Sequence, residues 1–117
     1  MKTIQLGQNT LEYQEKGKGQ AIIFIHGAFS NQHTWRKIIP ELSKHYRCIT
    51  PNWPFGAHKQ PLSGQTDLSP KGVTALIHEF IEALHLEKVV LVANDTGGAY
   101  AQIFASKYPK KVAKLIL

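Results

Sequence analysis

One acidic side chain stands alone between an apolar strand and the start of a helix, a place that asks what the charge is for. It is Asp95, within Val-Val-Leu-Val-Ala-Asn-Asp-Thr-Gly-Gly-Ala-Tyr-Ala-Gln, residues 89–102. An apolar run leads into it, and two glycines and a helix-forming segment follow. That is the small-x-nucleophile-x-small pattern of a nucleophile elbow, a sharp strand-to-helix turn that thrusts one side chain into the open. Such a turn needs small neighbours, which Ala93, Gly97 and Gly98 supply, while Ala99 and Ala101 let the following helix lie close to a sheet. A carboxylate at this place is ionised at neutral pH and gains about 0.3–1 kcal/mol from the helix macrodipole. It can attack an electrophilic carbon without help from a base. The same residues also read as an ordinary acidic cap, with Asp95 accepting from the N–H of Gly97 or Gly98. A phosphate cradle is a third reading, and the spacing opposes it. Neither G-x-G-x-x-G nor Gly-Lys-Ser/Thr is present, and Asp95 puts an anion where phosphate would sit.

An ester formed on Asp95 would need a general base to activate water. The six histidines are His26, His33, His45, His58, His78 and His85, and all precede Asp95. His33 and His58 fall on loops or helix starts that can approach the elbow. His45 falls at a helix end, and His78 and His85 fall on a helix expected outside the sheet.

The elements that must position Asp95 follow from periodicity. Residues 3–19 read as a hairpin, two alternating runs around Gly7, Gln8 and Asn9. Gln-Ala-Ile-Ile-Phe-Ile-His-Gly, residues 20–27, is an apolar β-branched run closed by a glycine, hence a strand buried on both faces. In residues 30–46 the positions Trp35, Ile38, Ile39 and Leu42 have helical spacing, so an amphipathic helix is expected, with Pro40 kinking it. Residues 46–50 read as a short strand, and 51–67 as a long loop rich in proline and glycine. Residues 68–87 are the clearest helix. Ser69 caps it, Pro70 suits its first turn, and Val73, Leu76, Ile77, Phe80, Ile81 and Leu84 form its apolar stripe. A third buried strand (88–93), a helix ended by Pro109 and a last strand (111–117) complete the chain. A hairpin followed by β-α-β-α-β-α-β predicts an α/β fold: a parallel sheet with helices on both faces and right-handed crossovers. Ligands gather at the carboxyl ends of such strands, so the loops after Ile25, Thr50 and Ala93 matter most.

A chain of 117 residues is one domain, of which 43% is hydrophobic and 19% charged, as in an ordinary globular protein. The single cysteine, Cys48, lies in an apolar run and reads as a buried small hydrophobe. No run approaches the roughly 18 apolar residues of a membrane span, and the N-terminal residues lack a signal core; a cytoplasmic protein is expected. The net charge is +6, but the lysines are scattered apart from Lys107, Lys110, Lys111 and Lys114, and no aromatic residues interleave them. No nucleic-acid partner and no membrane partner is therefore expected.

Taken together, the hairpin, His-Gly-Ala-Phe (26–29), Trp-Arg-Lys-Ile-Ile-Pro-Glu-Leu (35–42), the 50–58 loop, the long helix and the Asp95 elbow resemble the N-terminal half of the α/β-hydrolase superfamily. Residues 1–117 are accordingly read as a partial core domain, with the C-terminal strands, cap and late helices of that fold absent. An Asp in the elbow resembles haloalkane dehalogenases and epoxide hydrolases; most esterases and lipases carry Ser there. The resemblance implies that Asp95 is the nucleophile and that the backbone N–H groups of Ala28 and Thr96 form an oxyanion hole. It implies that His26 and Gly27 order the loop, that His26 is not the base, and that the acid and base come later than Asp95. It further implies a small organic substrate such as an alkyl halide or epoxide, and no cofactor or metal. Thr96 and Ala28 stand where dehalogenases have halide-holding Trp and Asn. Phe29 stands where epoxide hydrolases have Pro, and residues 51–58 depart from the usual Asp-x-x-Gly-x-Gly. The isolated chain is expected to be inactive or limited to a single turnover. Its last strand is expected to leave an open edge for self-association or complementation. The rival reading is a half-fold that binds partners without chemistry.

Overall fold

The computed structural model describes residues 2–7, 9–27, 32–54 and 69–117. Its centre is one six-stranded sheet in the order β1-β2-β4-β3-β5-β6. Strands β1 (Lys2–Leu6) and β2 (Asn9–Lys16) form the expected hairpin. Gly7 takes φ 62° at the turn, a left-handed conformation that costs glycine little. Strand β2 then pairs antiparallel with β4 (Arg47–Pro51). From there the sheet is parallel: β4 with β3 (Ala21–Ile25), β3 with β5 (Val89–Ala93), and β5 with β6 (Val112–Ile116).

All five residues of β3 are buried, as a strand covered on both faces requires. Alternate side chains enter two separate cores. Ile23, Ile25, Ile49 and Leu91 face α2 (Pro70–Ala83) and α3 (Thr96–Lys107), with Phe80 and Phe104 among the buried rings. Ile22, Phe24, Cys48 and Val90 face the other way, against Trp35, Ile39 and Leu42. Cys48 is buried as expected.

Helix α2 begins where the capping chemistry places it. The Ser69 hydroxyl accepts from Gly72 N–H at 3.3 Å, and Pro70 occupies the first turn. It ends where His85 turns left-handed at φ 57°, with Leu86 N–H bonded to Ile81 O and His85 N–H to Glu82 O. Those two bonds satisfy carbonyls that the helix end would otherwise orphan.

The helix expected over residues 30–46 is not continuous. A 3-10 turn spans Gln32–Trp35, and a separate four-residue helix, α1, spans Ile39–Leu42. Pro40 has no N–H to give to the carbonyl of Arg36, and its ring crowds that carbonyl. The chain restarts with Pro40 in its first turn. Trp35, Ile39 and Leu42 still meet the sheet, but Ile38 is left 41% exposed.

The β3–α1–β4 path covers one face of the sheet and α2 and α3 cover the other. The loops leaving β3 and β5 therefore part to opposite sides, which makes the carboxyl ends of these two strands the topological switch point. Strand β6 lies at one end of the sheet, with Ile116 51% and Leu117 66% exposed.

Candidate active site

The ladder between β3 and β5 ends at Ile25↔Ala93, and Asn94 N–H adds one more rung to Ile25 O at 3.0 Å. The chain then turns sharply. Gly97 N–H bonds Asn94 O at 3.0 Å and Gly98 N–H bonds Asp95 O at 2.9 Å, closing the first turn of α3. Between them Asp95 has φ 55° and ψ −128°. That conformation is almost exclusive to glycine and costs a residue with a Cβ about 1–3 kcal/mol. The Asp95 side chain makes no capping hydrogen bond and is exposed. The capping alternative is thereby corrected: the carboxylate is not folded back onto α3.

The carboxylate lies over Gly27. A Cβ placed on Gly27 would sit 3.0 Å from Asp95 Cβ and 3.4 Å from Asp95 Oδ2, a tight fit in which the elbow would have to give by a few tenths of an ångström. Gly97 is constrained from the same side, where a Cβ would strike the carbonyl oxygens of Ile25 and His26. Gly98 differs. Among the described residues a Cβ there meets only Leu117 Cδ2 at 3.5 Å, an ordinary contact. Ala93 is buried at the end of β5, and Thr96 opens α3 beside Asp95. Ala28 lies outside the described residues.

His26 is fully buried at the end of β3. Its Nε2 accepts the backbone N–H of Trp53 at 2.9 Å, so the ring proton sits on Nδ1 and is donated to Gly27 O at 2.9 Å. With both ring nitrogens engaged, His26 has no lone pair for water. The ring thus ties Gly27 O to the backbone of Trp53. His33 and His45 are exposed on the α1 side of the sheet, and His58 lies outside the described residues. His78 stacks on Tyr108 at the far end of α3, about 18 Å from its start at a rise of 1.5 Å per residue. His85 follows α2 at the amino end of the sheet. None of the described histidines is placed to act on an ester at Asp95.

Sequence reasoning missed Trp53. It is fully buried, its indole Nε1–H bonds Phe24 O at 2.9 Å, and its ring meets Phe80 edge-on at 5.4 Å. Asn52 beside it is buried, and its N–H continues the β2–β4 pairing to Glu12 O at 2.8 Å. A signal was present: a Trp in a proline-flanked segment directly after a buried strand must hide its ring yet satisfy its N–H. Among the described residues no three His, Cys, Asp or Glu side chains cluster as a metal site. No helix among them is long and apolar enough to cross a membrane.

A mixed sheet with this strand order, a strained elbow after its fifth strand and a His-Gly strut beside it define a hydrolase-type core. A family model described as the alpha/beta hydrolase fold matches residues 20–117, and the chain belongs to that family. It is 33% identical to a haloalkane dehalogenase of Mesorhizobium japonicum, over 96% of this chain and 36% of the relative. It is also 33% identical to a 2-hydroxy-6-oxo-2,4-heptadienoate hydrolase of Pseudomonas putida, over 86% and 37%. A crystal structure of an epoxide hydrolase from Bacillus megaterium superposes with a TM-score of 0.89 at 28% identity, over 97% of this chain and 40% of that one. The chain thus spans between a third and a half of the length of these relatives.

Proposed function

We propose that Asp95 is the nucleophile of an α/β-fold hydrolase and that its carboxylate forms an ester with a small organic substrate, an alkyl halide or an epoxide. The observation that carries this is the backbone of Asp95, held at φ 55° and ψ −128° with the side chain exposed and making no cap. A folded chain retains such strain only where surrounding structure imposes it, and such outliers cluster at functional sites.

One carboxylate oxygen attacks the alkyl carbon and a C–O bond forms. The bond to halogen breaks and its electron pair leaves as halide; with an epoxide, the ring C–O bond breaks and the oxygen takes up a proton from water, leaving hydroxide. Hydrolysis of the ester then needs water, a base and amides for the developing oxyanion. The backbone N–H of Thr96 and of Ala28 are the amides proposed, each worth about 3–4 kcal/mol to the transition state. His26 cannot supply the base because both ring nitrogens are bound, and no histidine follows Asp95. For residues 1–117 by themselves, formation of the ester is the step proposed.

The test is intact mass measurement after incubation with butyl bromide or styrene oxide, followed by peptide mapping. A single stable adduct on Asp95, absent in Asp95→Asn, is expected. Absence of any adduct sinks the nucleophile, and sustained halide or diol release by the purified chain sinks the half-reaction.

A further inference from the structure

We infer that Trp53 is a positioning residue for Asp95, acting through β3 and His26; the inference rests on Asp95 being the nucleophile. The pairing of β3 with β4 stops at Ile23↔Ile49, whereas β3 stays paired with β5 to Ile25↔Ala93. In a parallel ladder successive carbonyls point to opposite neighbours. Ile25 O is taken by Asn94 N–H on the β5 side, so Phe24 O points to the β4 side, beyond the last rung there. Trp53 fills that gap with two bonds. Its indole N–H reaches Phe24 O and its backbone N–H reaches His26 Nε2, each at 2.9 Å. One residue thus replaces the missing rungs and fixes the end of β3 against the end of β4.

The consequence reaches the reacting oxygen. His26 holds Gly27 O through Nδ1, and Gly27 lies close against Asp95, so close that a Cβ there would be 3.0 Å from Asp95 Cβ. Any slack at Trp53 moves His26, then Gly27, then the surface on which the carboxylate rests. Trp53 is anchored from behind by its edge-on contact with Phe80 of α2, so the clamp is tied to the main core.

The experiment compares Trp53→Phe, which keeps a ring against Phe80 and the backbone N–H to His26 but deletes the indole N–H, with Ile81→Val, which trims a buried side chain of the same core and leaves both bonds and the Phe80 contact in place. Two readouts are taken at a temperature where all variants are folded: the rate of adduct formation on Asp95 with butyl bromide and with styrene oxide, and the 15N NMR shifts of the His26 ring. Trp53→Phe should slow the adduct by about ten-fold or more, the scale expected of sub-ångström misplacement, and displace the His26 ring nitrogen shifts while the Nδ1–H tautomer is retained. Ile81→Val should lower the melting temperature and leave both readouts near wild type. An unchanged adduct rate in Trp53→Phe, or an equal slowing in Ile81→Val, overturns the inference. If the wild-type chain forms no adduct with either probe, the nucleophile reading falls, and the clamp is decided by the His26 spectrum alone: unchanged ring nitrogen shifts in Trp53→Phe overturn it.

Discussion

At Asp95 reactivity and stability pull in opposite directions. The φ of 55° and ψ of −128° suit glycine, so Asp95→Gly should relieve the strain, less the roughly 0.5–1 kcal/mol that glycine's backbone freedom costs. A net gain of about 1 kcal/mol, read as a higher urea midpoint, is expected together with complete loss of the adduct. The neighbouring glycines should separate just as sharply. Gly97→Ala drives a methyl into the carbonyl oxygens of Ile25 and His26 and should cost about 3 kcal/mol, the upper range for overpacking. Gly98→Ala meets only Leu117 and should be neutral or stabilising, because Ala is the better helix former by about 1 kcal/mol. Equal midpoints for the two alanine variants would contradict the crossing described here. The motif Asn-Asp-Thr-Gly-Gly disclosed the turn and its need for small residues. It did not disclose which glycine was essential or that Asp95 declines to cap, since both depend on how closely α3 crosses the end of β3, a contact far away in sequence.

The seam between α2 and the end of α3 is held partly by charge. Glu82 on α2 pairs with Lys111 Nζ, with His78 Nε2 3.5 Å away. The hydrogen bond from Lys111, then its charge, and to a smaller extent His78 and His85 hold the Glu82 carboxyl below its ordinary range. A depressed carboxyl pKa means that the folded state favours the ionised form. Its contribution is present above the unfolded pKa of about 4.3 and lost as pH falls through the lower folded value. Glu82→Gln should therefore lower the urea midpoint slightly at pH 7, and the difference should shrink as pH falls through the lowered carboxyl range; a gap that does not shrink in acid would assign the effect to packing. Screening limits the size because Glu82 is half exposed. Strands β3 and β5 and helix α2 were legible because period and caps are local signals. The helix over residues 30–46 was misread because one missing donor at Pro40 outweighed four well-spaced apolar residues. Trp53 went unseen because its partners lie 27 and 29 residues away.

For the molecule as a whole, the alternation of strands and helices gave the parallel sheet, its crossovers and both covered faces. It did not give the antiparallel attachment of β2 to β4, which no local pattern encodes. Beside β6 lies a groove of about 330 Å³, lined by Ile22, Leu42, Val90, Val92 and Ile116 among others. With Ile116 and Leu117 exposed and β6 at the end of the sheet, the 117-residue chain is proposed to self-associate there. A net charge of +6 opposes the approach of two copies, and salt screens that repulsion. The weight-average mass by light scattering should therefore rise between low and physiological salt and fall again in Ile116→Lys. A monomer at every salt concentration would exclude the association.

The crowding at Gly97 also has a genetic reading. Every missense change in a glycine codon adds at least one carbon to the residue it encodes. At this position that carbon has nowhere to go except into the backbone oxygens of Ile25 and His26. The gene therefore has only silent variation open to it at codon 97 if the elbow is to keep its shape, whereas codon 98, one triplet away, can change to one for alanine with no more than an ordinary contact at Leu117 among the described residues.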